Sequence, residues 1–195
     1  MFIKRYILPF LLIPLLFSCS VTKYVPENQY LLQKVTVDVD SKSVSSSDLE
    51  NYVQQKPNKN VLFLKKPALK IYSLSGSDTA RWRNRFIRKL GEPPVIYSVR
   101  SMRETERQIA QRMQNRGYLN AEVTADTILK KKKASVIYRV QSNASFTIRN
   151  YEVGVADTAI LSVMAHPRVN RYLKIRQGIP YVPEELDREL QTLTN

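Results

Sequence analysis

The chain has 195 residues, 43% of them apolar, which limits it to one or two small domains with a packed core. Its charge is lopsided, 31 Lys and Arg against 17 Asp and Glu for a net of +14, and that points to a phosphate-rich partner, either nucleic acid or a lipid headgroup surface. One histidine and one cysteine exclude metal sites of the usual His/Cys type.

Lys4 and Arg5 precede "ILPFLLIPLLF", Ile7–Phe17, an uncharged apolar run. It has the length of a signal-peptide core. It is too short for a spanning helix, which takes roughly 20 residues, and Pro9 and Pro14 discourage one further. The run ends in Leu16-Phe17-Ser18-Cys19. An apolar residue three before a cysteine, with a small residue just before it, resembles the bacterial lipobox. That resemblance implies cleavage between Ser18 and Cys19 and a diacylglycerol thioether on Cys19. One acyl chain holds a protein only marginally, and each further buried CH₂ adds about 0.8 kcal/mol, so three chains anchor it. Ser20, a non-acidic residue after the cysteine, implies sorting to the outer membrane. The expected partner of the charge is then lipid, and nucleic acid is not expected.

"SVTKYVPENQYLLQ" (Ser20–Gln33) reads as a tether. In "KVTVDVD", Val35, Val37 and Val39 alternate as a half-buried strand. Ser47 and Glu50 have the spacing of a capping box, and the helix they open should close at Pro57. Residues 58–97 mix apolar and basic residues and predict one or two short helices. Within them, Trp82, Phe86 and Leu90 recur every four residues among Arg81, Arg83, Arg85, Arg88 and Lys89. Two readings stay open there. The aromatic stripe packs on the core with the arginines in water, or the segment lies on a membrane surface or an acidic partner. "GEPP", Gly91–Pro94, is a stiff connector.

"SMRETERQIAQRMQNRGY" predicts a helix with a second capping box at Ser101 and Glu104. Met102, Thr105, Ile109 and Met113 form its buried stripe. Gly117 sits just past the last turn, where a left-handed residue satisfies the free carbonyls, and Tyr118 folds back on the helix end. "YLNAEVTADTIL" and "ASVIYRVQ" predict two strands, with Lys130–Lys133 at a hairpin turn that is either a headgroup contact or a solvated end. "FTIRNYEVGV" predicts a new first strand, and a helical stretch follows over "DTAILSVMAHPRVNRYL". "PEELDRELQTL" predicts a last helix, with Pro183 at its first position and Glu184 and Glu185 in its first turn. Tyr181 lies 84 positions after Tyr97. At that offset Leu186 falls on Met102 and Leu193 on Ile109, a short internal repeat.

No enzyme emerges. His166 stands alone before a proline, no nucleophile-elbow motif accompanies it, and five glycines form no phosphate-cradling loop. No catalytic residue, metal or cofactor is expected.

The order strand, helix, helix, strand, strand, with a helix ending in "RGY" before the strand pair, resembles the POTRA domain. The lipobox with "TKYVPENQYLLQKV", "QQKPNKN", "GEPPVIY" and "NRGYLNAEV" is similar to the N-terminal portion of TamL-like lipoproteins of the BamA/TamA outer-membrane assembly superfamily. The resemblance implies an α+β fold: a POTRA-like β-α-α-β-β domain, a three-stranded mixed sheet with two helices on one face, followed by an incomplete second POTRA-like unit. The expected organisation is a signal peptide at 1–18, a lipidated tether at 19–33, a first POTRA-like domain at 34–145 with a basic insertion at about 58–97, and a partial second domain at 146–195. No barrel strands follow, so a fragment is expected. The implied role is a periplasmic scaffold held at outer-membrane lipid through Cys19. It would bind unfolded outer-membrane protein clients or assembly partners by edge-strand addition, at Ala121–Ile128 or at Val35–Val39. The alternative is an interaction lipoprotein that binds anionic lipid or cell-wall polymer through Arg81, Trp82, Arg85, Phe86, Arg88 and Lys89.

Overall fold

The computed structural model of the chain describes residues 21–61, 64, 66–150, 152 and 175–194. Cys19, Ser18, His166 and the helical stretch expected over 157–173 lie outside them. The described elements are β1 (Leu31–Val39), α1 (Ser46–Leu49) running into a 3₁₀ turn (Glu50–Tyr52), α2 (Pro67–Leu74), α3 (Trp82–Leu90), α4 (Val99–Gln114), β2 (Glu122–Lys130), β3 (Lys133–Gln141) and α5 (Pro183–Thr194). The fold is α+β. Its three strands form one sheet in the order β1-β3-β2. The Leu31 N–H donates to Lys132 O, and the Asp40 N–H to Val140 O, so β1 and β3 run in the same direction. β2 and β3 are a hairpin, and the sheet is mixed.

The chain divides into two compact units. The first takes the described residues of Met1–Thr36, Gln54–Met102 and Asp126–Ile137. Val25, Leu31 and Leu69 are buried together there, with Val21 and Ile96 against them. The segment expected to be a tether is therefore folded from Val21 onward: Val25 is core. The second unit takes Val37–Val53, Arg103–Ala125 and the described residues of Tyr138–Asn195. Val37, Val44, Leu49, Val53, Ile109, Met113, Tyr138 and Val140 are buried in it.

Alternation explains the strands. In β3, Ala134, Val136, Tyr138 and Val140 are buried while Arg139 and Gln141 face water. In β2, Val123, Ala125 and Thr127 are half-buried and the residues between them exposed, and the alternation ends at Ile128–Lys130, which are all exposed. The 3.6-residue period explains α4, where Thr105, Ile109 and Met113 are fully buried and Met102 half-buried. Burying Ile109 and Met113 stabilises by about 1.5–3 kcal/mol each.

The helix starts differ from the sequence reading. α4 begins two residues early, at Val99, and the Ser101 N–H donates to Ser98 Oγ at 3.4 Å, so Ser98 is the capping serine and Ser101 is inside the first turn. α1 begins at Ser46 and has no side-chain cap; Ser45 Oγ and Ser47 Oγ instead bond each other at 2.8 Å. It ends before Val53, four residues short of Pro57, because the chain turns extended at Val53 (φ −70°, ψ 116°).

At the C-terminus of α4 the Gly117 N–H donates to Gln114 O and the Tyr118 N–H to Met113 O, with Gly117 left-handed at φ 88°. These are the two bonds of a Schellman ending. Gly117 does more than stop a helix. Its carbonyl accepts from the Phe146 N–H, and Phe146 O accepts from the Tyr181 N–H. The Tyr181 carbonyl lies against the Gly117 Cα, where a side chain would begin.

The internal repeat is carried by hydrogen bonds. Isolated antiparallel bridges join Leu31 to Ile96 and Thr147 to Pro180. Ile96 and Pro180 are 84 positions apart, as are the first residues of α4 and α5, Val99 and Pro183. The strand partners, Leu31 and Thr147, are 116 apart. The first copy therefore holds 32 more residues between strand and helix, and α2 and α3 fall in that interval.

Two substitutions test this local chemistry. Gly117→Ala puts a Cβ at positive φ and against a backbone carbonyl, and should cost at least about 2 kcal/mol in urea unfolding. Gly178→Ala, at the same φ of 88° but with open space around it, should cost only about 1 kcal/mol. The β2–β3 turn places Lys131 and Lys132 at φ 47° and 58°, the conformation that Asn-Gly fits best. Lys131→Asn with Lys132→Gly should stabilise by about 1 kcal/mol, read as a higher unfolding midpoint at unchanged slope.

Candidate functional site

The sheet has two outer strands, β1 and β2, and their edges are in different states. The edge of β1 is covered at its start. The Leu32 N–H donates to Val95 O at 2.8 Å and the Tyr97 N–H to Tyr30 O at 2.8 Å. Residues 95–97 thus act as a short extra strand. Two side-chain amides hold that segment from behind. Gln55 Nε2 donates to Ile96 O at 2.8 Å and Gln55 Oε1 accepts from the Ser98 N–H at 3.0 Å. Asn58 Nδ2 donates to Pro93 O at 2.8 Å and Asn58 Oδ1 accepts from the Val95 N–H at 3.2 Å. Asn58 is 2% exposed. This is what joins "QQKPN" to "GEPPVIYS". Lys66, left-handed at φ 51°, adds its amine to Leu32 O and Gln33 O. Burial, and then the Lys133 charge, push the Lys66 amine down, with Glu92 opposing them.

The outer edge of β2 has no backbone partner among the described residues. The Ala125 N–H, directed away from β3, donates to Glu106 Oε1 on α4 at 2.7 Å. By the two-residue period of a strand, Val123 and Thr127 direct their N–H groups the same way. Glu122, Thr124, Asp126, Ile128 and Lys130 are exposed along this strand.

α3 is the second exposed feature, and it corrects the reading in which its aromatic stripe packs on the core. Trp82, Phe86 and Leu90 are 70%, 57% and 60% exposed, and no residue of α3 is buried. The helix is held to the protein by polar groups instead. Asn84 Oδ1 accepts from the Gly76 N–H at 2.9 Å and Asn84 Nδ2 donates to Asp78 O at 2.7 Å. Arg88 Nε donates to Ser75 Oγ at 3.1 Å and Nη2 to Gly76 O at 3.0 Å. The Arg88 guanidinium also lies over the rings of Tyr24 and Tyr72, 5.2 and 5.6 Å from their centroids. Arg88 therefore does not share the outward face with Trp82 and Phe86. Arg81, Arg83, Arg85 and Lys89 are exposed, with Arg81 paired to Asp78 at 3.2 Å.

Tyr24 closes that inner cluster. Its hydroxyl donates to Ser75 O, which also accepts from Lys23 Nζ at 3.1 Å. The Tyr24 and Tyr72 rings meet edge to face, with centroids 5.6 Å apart. Burial pushes the Tyr24 phenol up, but hydrogen bonds with Ser75, Arg88 and Lys23 and the Lys23 charge together hold it below its ordinary value. The contacts of Gln55, Asn58 and Tyr24 were not signalled by any motif. They join residues 35 to 51 positions apart through side chain and backbone, and such pairs leave no periodic trace.

Near α5, Arg112 Nη1 pairs with Glu184 Oε1 at 2.9 Å and lies over the Tyr52 ring, while Arg116 pairs with Asp48. An apolar hollow of about 410 Å³ is lined by Leu119, Phe146, Ile148, Ile175, Tyr181 and Leu186 among others. It lies beside the second copy's bridge, whose Thr147 is also on its wall. Among the described residues no side-chain cluster fits a metal ion, and no helix is long and apolar enough to cross a membrane.

The amide clamp gives a direct test. Asn58→Ala leaves the Pro93 carbonyl and the Val95 N–H without their partner and should cost about 2–4 kcal/mol. Lys59→Ala, at the exposed neighbour, should stay within about 0.5 kcal/mol. Urea unfolding followed by circular dichroism reads both.

No curated protein matches the chain. Among solved structures, the chain is similar to the crystal structure of Haemophilus influenzae BamA POTRA3-5, at 12% identity and a TM-score of 0.31, over 87% of this chain and 88% of that one. A family model described as POTRA, surface antigen variable number repeat, matches residues 30–143, which is more than half of the chain. The matched span opens at the Tyr30 carbonyl that receives Tyr97 and closes just after β3, so it takes in the whole three-stranded sheet. The chain belongs to the POTRA family.

Proposed function

We propose that the chain is a lipid-anchored periplasmic scaffold of outer-membrane protein assembly, of the TamL-like kind, that captures unfolded barrel clients or partner subunits by strand addition to β2. The observation that carries this is the unequal state of the two sheet edges. β1 is covered at its start by 95–97 and its amide clamp, and the outer edge of β2 has no backbone partner among the described residues. An open edge in a POTRA sheet is a template for an extended chain. Main-chain hydrogen bonds supply such binding, so it tolerates many client sequences. A lipid on Cys19, supported by the "LFSC" motif alone, would hold the scaffold where clients arrive. The role is one of binding, and no step of covalent chemistry is assigned to it.

Val123→Pro removes one outward donor of β2 and leaves the bonds to β3 in place, since proline is tolerated on the open side of an edge strand. Loss of one net hydrogen bond of about 1 kcal/mol predicts roughly five-fold weaker capture of a labelled outer-membrane β-strand peptide, read by fluorescence anisotropy. Glu106→Ala frees the Ala125 N–H and should not weaken capture. Unchanged binding by Val123→Pro, with its circular dichroism intact, would show that clients do not use this edge.

A further inference from the structure

We propose that α3 is a membrane-surface helix: Trp82, Phe86 and Leu90 enter the interface of an anionic phospholipid bilayer, and Arg83, Arg85 and Lys89 meet its headgroups. The observation is the inverted polarity of the helix. At about 100° per residue, Trp82, Phe86 and Leu90 share an arc of ~80°, with Arg85 and Lys89 on one flank, Arg83 on the other, and Asn84 and Arg88 opposite. The exposures and contacts follow that wheel. The apolar arc is 57–70% exposed, and the opposite face is tied down through Asn84 and Arg88. A helix that packs by its polar face and shows its apolar face to water has a hydrophobic surface the fold does not use.

Charge selects the occupant. α3 has no acidic residue and five basic ones counting Arg81 at its start. An acidic, apolar-cored surface that accepts aromatic and basic side chains together is the interface of an anionic bilayer. Position agrees, in a step that rests on the lipid-anchored reading of Cys19. The inner face of α3 holds Tyr24 through Arg88 and the Ser75 carbonyl. Tyr24 is five residues from Cys19, a reach of at most ~18 Å. Lipid and helix can therefore occupy one patch of membrane. The helix then adds a surface contact to the acyl anchor.

Trp82 is the only tryptophan in the chain, so its fluorescence reports on α3 alone. The probe is the processed chain from Cys19 onward, and the same residues with Cys19→Ala, on vesicles of phosphatidylcholine with about 30% phosphatidylglycerol and on pure phosphatidylcholine. On anionic vesicles Trp82 should shift to shorter emission wavelength and lose at least threefold of its acrylamide quenching. It should be quenched by brominated acyl chains, and revert in high salt for the Cys19→Ala chain. Arg83→Ser/Arg85→Ser/Lys89→Ser should weaken vesicle binding of the Cys19→Ala chain at least tenfold, and Phe86→Ser/Leu90→Ser should leave Trp82 quenchable on bound chain, each with unchanged circular dichroism. Trp82 that stays fully quenchable on vesicles carrying the bound native chain overturns the inference. Trp82 shielded without lipid, in proportion to protein concentration, overturns it too, by making a second copy the occupant. Native and Cys19→Ala chains that partition alike reject the lipid anchor and leave the Trp82 result to be read by itself.

Discussion

The buried amide of Asn58, with Gln55 beside it, is the constraint on which the rest depends. Residues 93–98 contain two prolines and no regular structure of their own. What gives them one conformation is a set of four bonds to two side chains, from Pro93 O to the Ser98 N–H. An amide both donates and accepts, so it can replace a strand along a backbone. The segment is thereby presented to Tyr30 and Leu32 in the register that forms the Leu31–Ile96 bridge. The same bonds fix Ser98, and Ser98 caps α4. One consequence reaches function. By occupying the start of β1, the clamp leaves β2 as the strand whose outer edge has no backbone partner among the described residues, its Ala125 N–H being held by the Glu106 side chain.

The second copy uses the same joint without the long arm. Thr147 and Pro180 repeat the bridge of Leu31 and Ile96, and Tyr181 donates to Phe146 as Tyr97 does to Tyr30. α5 then begins where α4 does in the first copy. Gly117 shows why the joint is placed where it is. A left-handed glycine ends α4, its carbonyl receives Phe146, and its bare Cα admits the carbonyl of Tyr181. A side chain there would meet both the strain of positive φ and a polar oxygen. The residue that stops one helix is also the seat of the next copy's first hydrogen bonds.

Much of this was legible from periodicity. The two strands of the hairpin, the stripe of α4 and the left-handed Gly117 all follow from patterns two to four residues long. The caps were misplaced for a physical reason. Ser98 and Ser101 are both three residues before a polar partner, and only the direction of the incoming chain, set by Gln55, decides which one lies outside the helix. Likewise the Ser47–Glu50 spacing has the right chemistry, but Ser46 is already helical, so Ser47 cannot act as a cap. The edge that stays open was not legible, because it depends on amides 35 to 43 positions from their partners. For α3 the period gave a stripe but no direction. A wheel says which residues share a face; it does not say whether that face looks in or out.

The direction of α3 follows from what holds it. Apolar burial would have turned Trp82, Phe86 and Leu90 inward, and each aromatic left in water forgoes about 1.5–3 kcal/mol that burial would provide. The helix sits the other way because Arg88 is fixed between Tyr24, Tyr72, Ser75 and Gly76, and Asn84 between Gly76 and Asp78. Charged and amide groups with several partners each are hard to exchange for water one at a time. The second copy reaches its own bridge and its own helix start across an interval 32 residues shorter than the one that holds α3. An apolar stripe that the fold leaves in water, flanked by cations, has the chemistry that a partly apolar, anionic surface complements.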